Sequence, residues 1–276
     1  MKTILNFFAI IVVVQSLHAD TFDIGGSKIN VPSPSGYVRI TDDMPAVKRL
    51  VEQMADPLND TLAFYIPEDS VPKALAGDMP KLDRYFMLKV NKKLKAYTAS
   101  ISEFSEMQSS VAAQNKKIFD EVKAKLPDYF DQISKNISKE FDTNIAFSVS
   151  QMIPLDPHYT SRDAFAYSMF INYGSKSEHD ESKTIIAATS TFVNASGKII
   201  FLYAYGVKED LNWTRLSSES WQKSIITNNV SAPQTKTSVG IDWGKVAGKA
   251  ITGGIIGVIV SLIAYLISKH KKKHGG

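Results

Sequence analysis

Residues 250–268 read AITGGIIGVIVSLIAYLIS, nineteen positions without a charge, and Lys269, His270, Lys271, Lys272, Lys273 and His274 follow at once. A run of this length crosses the hydrocarbon core of a bilayer as a helix. Trp243 precedes it and Tyr265 lies near its end, and such rings favour the two interfaces. Lysines stay on the cytoplasmic side, so the expected orientation puts the rest of the chain outside. The reading is a transmembrane helix over 244–268 and a basic cytoplasmic tail over 269–276, too short to fold. Gly253 and Gly257 form a GxxxG pair, and Ser261 extends the small face one turn on. That pattern lets two membrane helices approach closely, so self-association through the anchor is one expected contact.

The other end of the chain predicts the same orientation. Lys2 precedes an apolar stretch over 4–14, broken only by Asn6, and Ala19 offers a small residue for cleavage. This is the pattern of a secretory signal peptide over 1–19. Residues 228–243 are polar, with Pro and Ser and no apolar period, and read as a linker to the membrane. The remaining segment, 20–227, is the expected exported domain.

Charge and composition exclude several kinds of function. Between 20 and 240 there are 25 basic and 27 acidic side chains, so the net charge of +4 belongs to the ends. A nucleic-acid reader needs a basic face on its folded part, and none is expected here. Lysines number 27 and arginines 5, which argues against a dedicated phosphate cluster. With no cysteine there is no thiol nucleophile, thiolate metal site or iron–sulfur cluster. Five N-x-S/T sequons occur, at Asn59, Asn136, Asn194, Asn212 and Asn229. A cysteine-free exported domain fits a bacterial envelope better than a eukaryotic secretory route, so they are read as mostly coincidental.

Within the domain, 27–32 and 37–40 alternate as short strands around Pro32, Pro34 and Gly36, suggesting an opening hairpin or a bent strand. A helix follows, capped by Asp42 or Asp43, with Val47, Leu50, Val51 and Met54 on one stripe. Strands are expected over 62–66 and over 82–90, with continuation of the second to Tyr97 as the alternative. Ser100 and Glu103 form a capping box for a helix carrying Phe104, Val111, Ile118 and Val122. Pro127 is expected to interrupt it, with a second helix presenting Phe130, Ile133, Ile137 and Phe141. The seam is broken by Gln108 and Asn115, so packing on the domain's own sheet is favoured over a coiled coil. Four strands follow, over 144–153, 164–173, 184–193 and 198–207, the last two joined by a turn at 194–197. Ser217 or Ser218 is expected to cap a final helix with Trp221 and Ile225 on one face. Segregated strands and helices give an α+β domain, an antiparallel sheet covered by helices. The order of early strands, helices, late hairpin and closing helix resembles PsbP-like domains, a resemblance of architecture that no diagnostic motif carries.

No motif assigns a reaction. GxSxG, Walker A and GxGxxG patterns are absent, and Ser220-x-x-Lys223 lacks its companion motifs. His158 and His179 are the domain's histidines; Glu178, His179, Asp180 and Glu181 read as a solvated tip, and no metal or cofactor is expected. The loops holding His158, Tyr159 and Arg162, and Trp213 and Arg215, are the places where a polar ligand would bind. The expectation is a non-catalytic binding or assembly module, held at the outer face of the cytoplasmic membrane and joined to a protein partner. The alternatives are an envelope hydrolase working through carboxylates and a ligand sensor signalling by anchor dimerisation.

Overall fold

The computed structural model describes residues 19–54, 56–177, 180–230, 242–257 and 263–264. The signal-peptide reading therefore lies outside the described residues but for Ala19, as do His179 and most of the linker. Strand β1 (Ala19–Ile24) pairs antiparallel with β2 (Ser27–Pro32) as a separate two-stranded ribbon. The opening hairpin thus forms with the segment before 27–32 rather than with 37–40. That later segment, β3 (Tyr37–Arg39), joins the edge of the main sheet.

The main sheet is antiparallel and eight-stranded. Its members are β3, β4 (Asn59–Pro67), β5 (Tyr85–Asn91), β6 (Ile145–Pro154), β7 (Tyr159–Thr160), β8 (Ala164–Ser177), β9 (Asp180–Ala195) and β10 (Lys198–Val207). Their order is β3-β4-β5-β10-β9-β8-β6, with the short β7 on β8. The β9–β10 turn has Ser196 at φ 52° and Gly197 at φ 84°. Two consecutive positive φ values are what a two-residue hairpin needs to match the strand twist. Strand β5 stops at Asn91 and does not continue to Tyr97.

Central strand β10 (KIIFLYAYGV) is buried on both faces up to Gly206. Ile200, Leu202 and Ala204 face one apolar cluster, and Ile199, Phe201, Tyr203 and Tyr205 face the other. Alternation of this kind puts successive side chains on opposite sides of the sheet. The outer side is closed by the β1–β2 ribbon and α4 (Leu211–Thr227). Trp221 Nε1 donates to the Pro32 carbonyl at 2.8 Å, tying helix to ribbon. The inner side is closed by α1 (Pro45–Gln53), α3 (Ile101–Glu140) and α5 (Trp243–Gly257); a short helix, α2 (Val71–Leu75), packs on α1.

Several helix boundaries differ from expectation for local reasons. Met44, not Asp42 or Asp43, is the N-cap of α1, because Asp42 pairs with Lys48 instead. Helix α4 starts at Leu211, about two turns early, and Ser218 is a buried helical residue bonded to Thr191 at 2.8 Å. At α3 the capping box forms as read. Ser100 Oγ accepts from the Glu103 amide at 3.2 Å, and the Ser100 amide donates to the Glu103 carboxylate at 2.9 Å. The helix then runs unbroken for 40 residues through Pro127. Pro127 lies on the exposed face, while Val122, Leu126, Phe130, Ile133 and Ile137 are buried along one stripe. Packing of that stripe holds both halves in line despite the lost hydrogen bond. Gln108 leaves the seam to donate to the Ser161 carbonyl at 2.7 Å. Asn59 and Asn194, two of the sequon asparagines, are 2% and 3% exposed, so neither side chain is free to carry a glycan in the fold.

Replacing Pro127 with Ala restores an amide to an exposed helical position. We expect P127A to stabilise the protein by about 1–3 kcal/mol, read as a higher urea midpoint with an unchanged slope.

Candidate functional site

The structure brings together part of the residue set read from sequence. His158 and Arg215 converge on Ser168 of β8. Arg215 Nε donates to Ser168 Oγ at 3.1 Å, and His158 Nδ1 lies 3.4 Å from the same oxygen. Ser168 also meets Thr189 Oγ1 at 2.9 Å, and Thr189 donates to Thr214 Oγ1 at 2.9 Å. These hydroxyls form a ladder between the outer sheet face and α4. Ser168, Thr189 and Thr214 are all 0% exposed, so a substrate cannot reach the serine. The cluster is a clamp for α4, not a nucleophile with its base. Tyr159 is not in it: its ring packs on the outer apolar cluster, with Lys223 Nζ 5.9 Å from the ring centre. Arg162 does not join: it pairs with Asp163 at 2.9 Å. Trp213 sits elsewhere on the outer face, under Arg84 (4.8 Å) and against Phe86 and Tyr37. Burial pushes the Tyr37 phenol up to about 12.

A second polar centre lies on the inner side, and sequence reading missed it. Lys89 of β5 is fully buried, and its Nζ is 3.1 Å from Asp56, whose side chain is equally buried. Asp56 Oδ1 also accepts from the Leu58 amide at 2.9 Å, and Oδ2 from Asn59 Nδ2 at 2.8 Å. Asn59 Nδ2 reaches the Lys249 carbonyl of α5 at 3.0 Å. Burial lowers the Lys89 pKa, while the Asp56 charge opposes that shift. The available signal was phase: Lys89 alternates with Phe86, Leu88 and Val90, so it had to share the inner face with Tyr85 and Met87. A cavity of about 380 Å³ lies beside this pair, lined by Arg39, Lys48, Glu52, Asp56, Asp60 and Lys92 among others. Its charged rim is largely self-paired, as in Lys48–Asp42 and Lys92–Asp60.

The third feature is a groove between α3 and the inner face of β5 and β10, and α5 lies in it. Ala250, Ile251, Ile255 and Ile256 of α5 are 0% exposed. Three tyrosine hydroxyls grip the helix backbone. Tyr203 donates to the Ala250 carbonyl at 2.7 Å, Tyr205 to Gly254 at 2.7 Å and Tyr85 to Gly257 at 3.0 Å. Burial raises the pKa of Tyr203 and Tyr205 well above the usual phenol value, so both remain donors. The approach is close because glycine faces the rings. A Cβ on Gly254 would fall 2.7 Å from Tyr203 Cε1, and one on Gly257 would fall 2.2 Å from Tyr205 Oη. Gly257 thus contacts the sheet rather than a second helix, and its neighbour in that contact is Gly254. Ser261, and the surroundings of Gly253, lie outside the described residues. The expected span over 244–268 is found, as far as it is described, inside the domain. Among the described residues no helix is long and apolar enough to cross a membrane. Apolar residues that suit hydrocarbon suit an apolar groove equally, which is why composition alone did not separate the two.

Among the described residues no group of three or more metal-ligating side chains occurs. No protein-family model matches the chain, and no curated protein matches it. Among solved structures, PsbP of the cyanobacterium Synechocystis is similar at 8% identity and a TM-score of 0.27, covering 79% of this chain and 95% of that one. The Ran-binding protein Mog1p of Saccharomyces cerevisiae is similar at 9% identity and a TM-score of 0.24, covering 87% and 94%. A putative regulator of unknown function from Pseudomonas aeruginosa gives 10% identity and a TM-score of 0.19, covering 81% and 99%. Similarity this low carries no argument about function.

Two outcomes test this description. Burial, and then the Arg215 charge, lower the His158 pKa from 6.5 to about 4. Above pH 6.5 the imidazole is neutral folded or unfolded, so it has no effect there. Between 6.5 and about 4 the unfolded chain takes up a proton that the folded chain refuses, so stability falls with pH. Replacing His158 with Gln should flatten that part of a stability–pH curve measured by urea unfolding. For the buried pair, K89A leaves Asp56 charged and without its cation, and should cost about 3–5 kcal/mol. The double change Lys89→Met with Asp56→Asn should cost clearly less in the same unfolding assay.

Proposed function

We propose that the protein is a membrane-tethered extracytoplasmic module that works by binding a protein partner. The exported domain is the binding part, and the segment over 244–268, whose described part packs in the domain's groove in this structure, becomes its single-pass anchor when it leaves the groove for the cytoplasmic membrane of a bacterial envelope. The charge-free run, the lysine tail and the N-terminal leader pattern support the anchor and its orientation. The observation that carries the binding reading is the tyrosine-lined groove. It holds an apolar helix through backbone acceptors and close glycine contacts, which is recognition without reaction chemistry. The His158–Ser168–Arg215 cluster supports the same side of the choice, since its serine is sealed beneath α4.

Tagged full-length protein in its native membrane tests this reading. It should resist alkaline carbonate extraction, lose residues 20–227 to protease added from outside, and yield a reproducible partner on crosslinking. Recovery in the soluble fraction, or crosslinking that returns no other protein, would overturn it.

A further inference from the structure

We propose that the junction of β8, β9 and the C-terminal end of α4 is a calcium site, built around Asp163 and Asn194. The site goes beyond the tethered binding reading and does not depend on it.

Asp163 immediately precedes β8, and Asn194 is the last residue but one of β9. The Asn194 amide donates to the Asp163 carbonyl at 2.9 Å, which holds the two residues side by side. Asp163 is 8% exposed and Asn194 3%. Arg162 Nε and Nη2 both end on Asp163 Oδ2, each at 2.9 Å, so this ion pair leaves Oδ1 over. Asn194 Nδ2 donates to the Ala99 carbonyl at 3.3 Å, which turns its Oδ1 away from that contact. Oδ1 of Asp163 and Oδ1 of Asn194 are both sealed from solvent, with no hydrogen-bond partner among the described residues. Two buried acceptors, one of them on a carboxylate, are costly unless a positive group meets them.

Both residues line a cavity of about 20 Å³ together with Ile226, Asn229 and Val230. Ile226 belongs to the last turn of α4, and the other two follow it. The carbonyl end of a helix carries partial negative charge and favours a cation. The Asn229 amide reaches the Ile226 carbonyl at 3.3 Å, a long bond, and a carbonyl oxygen keeps a second lone pair. Carboxylate, amide and main-chain oxygens are the hard donors that calcium takes. Only one carboxylate takes part, so the site is no cluster of acidic or histidine side chains. Size favours the same ion. The cavity has room for about one particle the size of a water. Calcium meets oxygen at about 2.3–2.6 Å, closer than a typical O–H···O hydrogen bond of about 2.7–2.8 Å. Magnesium keeps several of its own waters, for which there is no space here. One carboxylate beside neutral oxygens gives weak binding, on the order of 1 mM, as in extracellular modules. The position gives the site a use. The Val230 carbonyl accepts from Ser196 Oγ at 3.2 Å, and Asn229 Nδ2 donates to the Asn30 carbonyl at 2.7 Å. A cation here fastens the end of α4 to two strands of the main sheet, just before the segment over 231–241.

Purified full-length protein in detergent, stripped of metal with EGTA, is titrated with calcium chloride while hydrogen exchange is followed by mass spectrometry. Amides over 193–195 and 225–230 should exchange about ten-fold more slowly at about 10 mM calcium, some ten times the expected Kd. Asp163→Asn keeps the shape and removes the charge, and should abolish that response. Arg162→Gln removes an exposed cation that competes for the same carboxylate, and should tighten calcium binding about three-fold or more. Asp128→Asn, on the exposed face of α3, should respond like the unaltered chain. Should D163N fail to fold, the opposite sign expected for R162Q still decides. Exchange indifferent to calcium in the unaltered chain means that water or protein groups satisfy the two oxygens, and overturns the proposal. Equal slowing by magnesium at the same concentration, a D163N protein that still responds, or an R162Q protein that binds no tighter also overturns it. None of these outcomes bears on the tether or on partner crosslinking.

Discussion

Burial of the main sheet on both faces is the constraint on which the rest of the molecule depends. Ile200, Leu202 and Ala204 leave β10 on one side while Phe201, Tyr203 and Tyr205 leave it on the other, so neither face can meet water. A helix is about 10 Å across and strands lie about 4.8 Å apart, so one helix covers roughly two strands. The outer face is closed by α4 with the β1–β2 ribbon. On the inner face α3 alone is too narrow, and α5 fills the space beside it.

That requirement explains why a segment suited to a bilayer is found in a protein core. Its isoleucines need an apolar surrounding, and the inner face needs an apolar cover. What distinguishes the groove from hydrocarbon is polar: the hydroxyls of Tyr85, Tyr203 and Tyr205, and the Asp56–Lys89–Asn59 network that reaches the Lys249 carbonyl. Buried polar groups of this kind add direction to a contact that apolar area leaves undirected.

Much of the architecture was legible in the chain. The four late strands, the Ser100–Glu103 capping box, the buried Trp221 and Ile225 face and the preference for helix-on-sheet packing follow from period and cap chemistry, and the structure has them. Breaks were harder to read. Pro127 is a local signal that long-range packing overrides, and Ser218, read as a cap of α4, instead faces the sheet from inside the helix. Of the candidate site residues, His158 and Arg215 do meet, because β8 brings Ser168 between them. Trp213, in the first turn of α4 rather than in a loop, and Arg162 lie apart from that point, since nearness along the chain does not determine which way a side chain turns.

By itself the sequence determined most of the long helices and strands, that the sheet is antiparallel and covered by helices, and that the C-terminal run must avoid water. These follow from periodicity, turn residues and hydropathy, which are properties of neighbours along the chain. Only the tertiary structure decided that Lys89 is buried against Asp56, that Ser168 is sealed under α4, and that Gly254 and Gly257 face tyrosines. Those contacts join residues up to 172 positions apart, as Tyr85 and Gly257 are. No local pattern encodes which distant partner fills an apolar surface, because apolar burial has no direction until polar groups and close packing supply one.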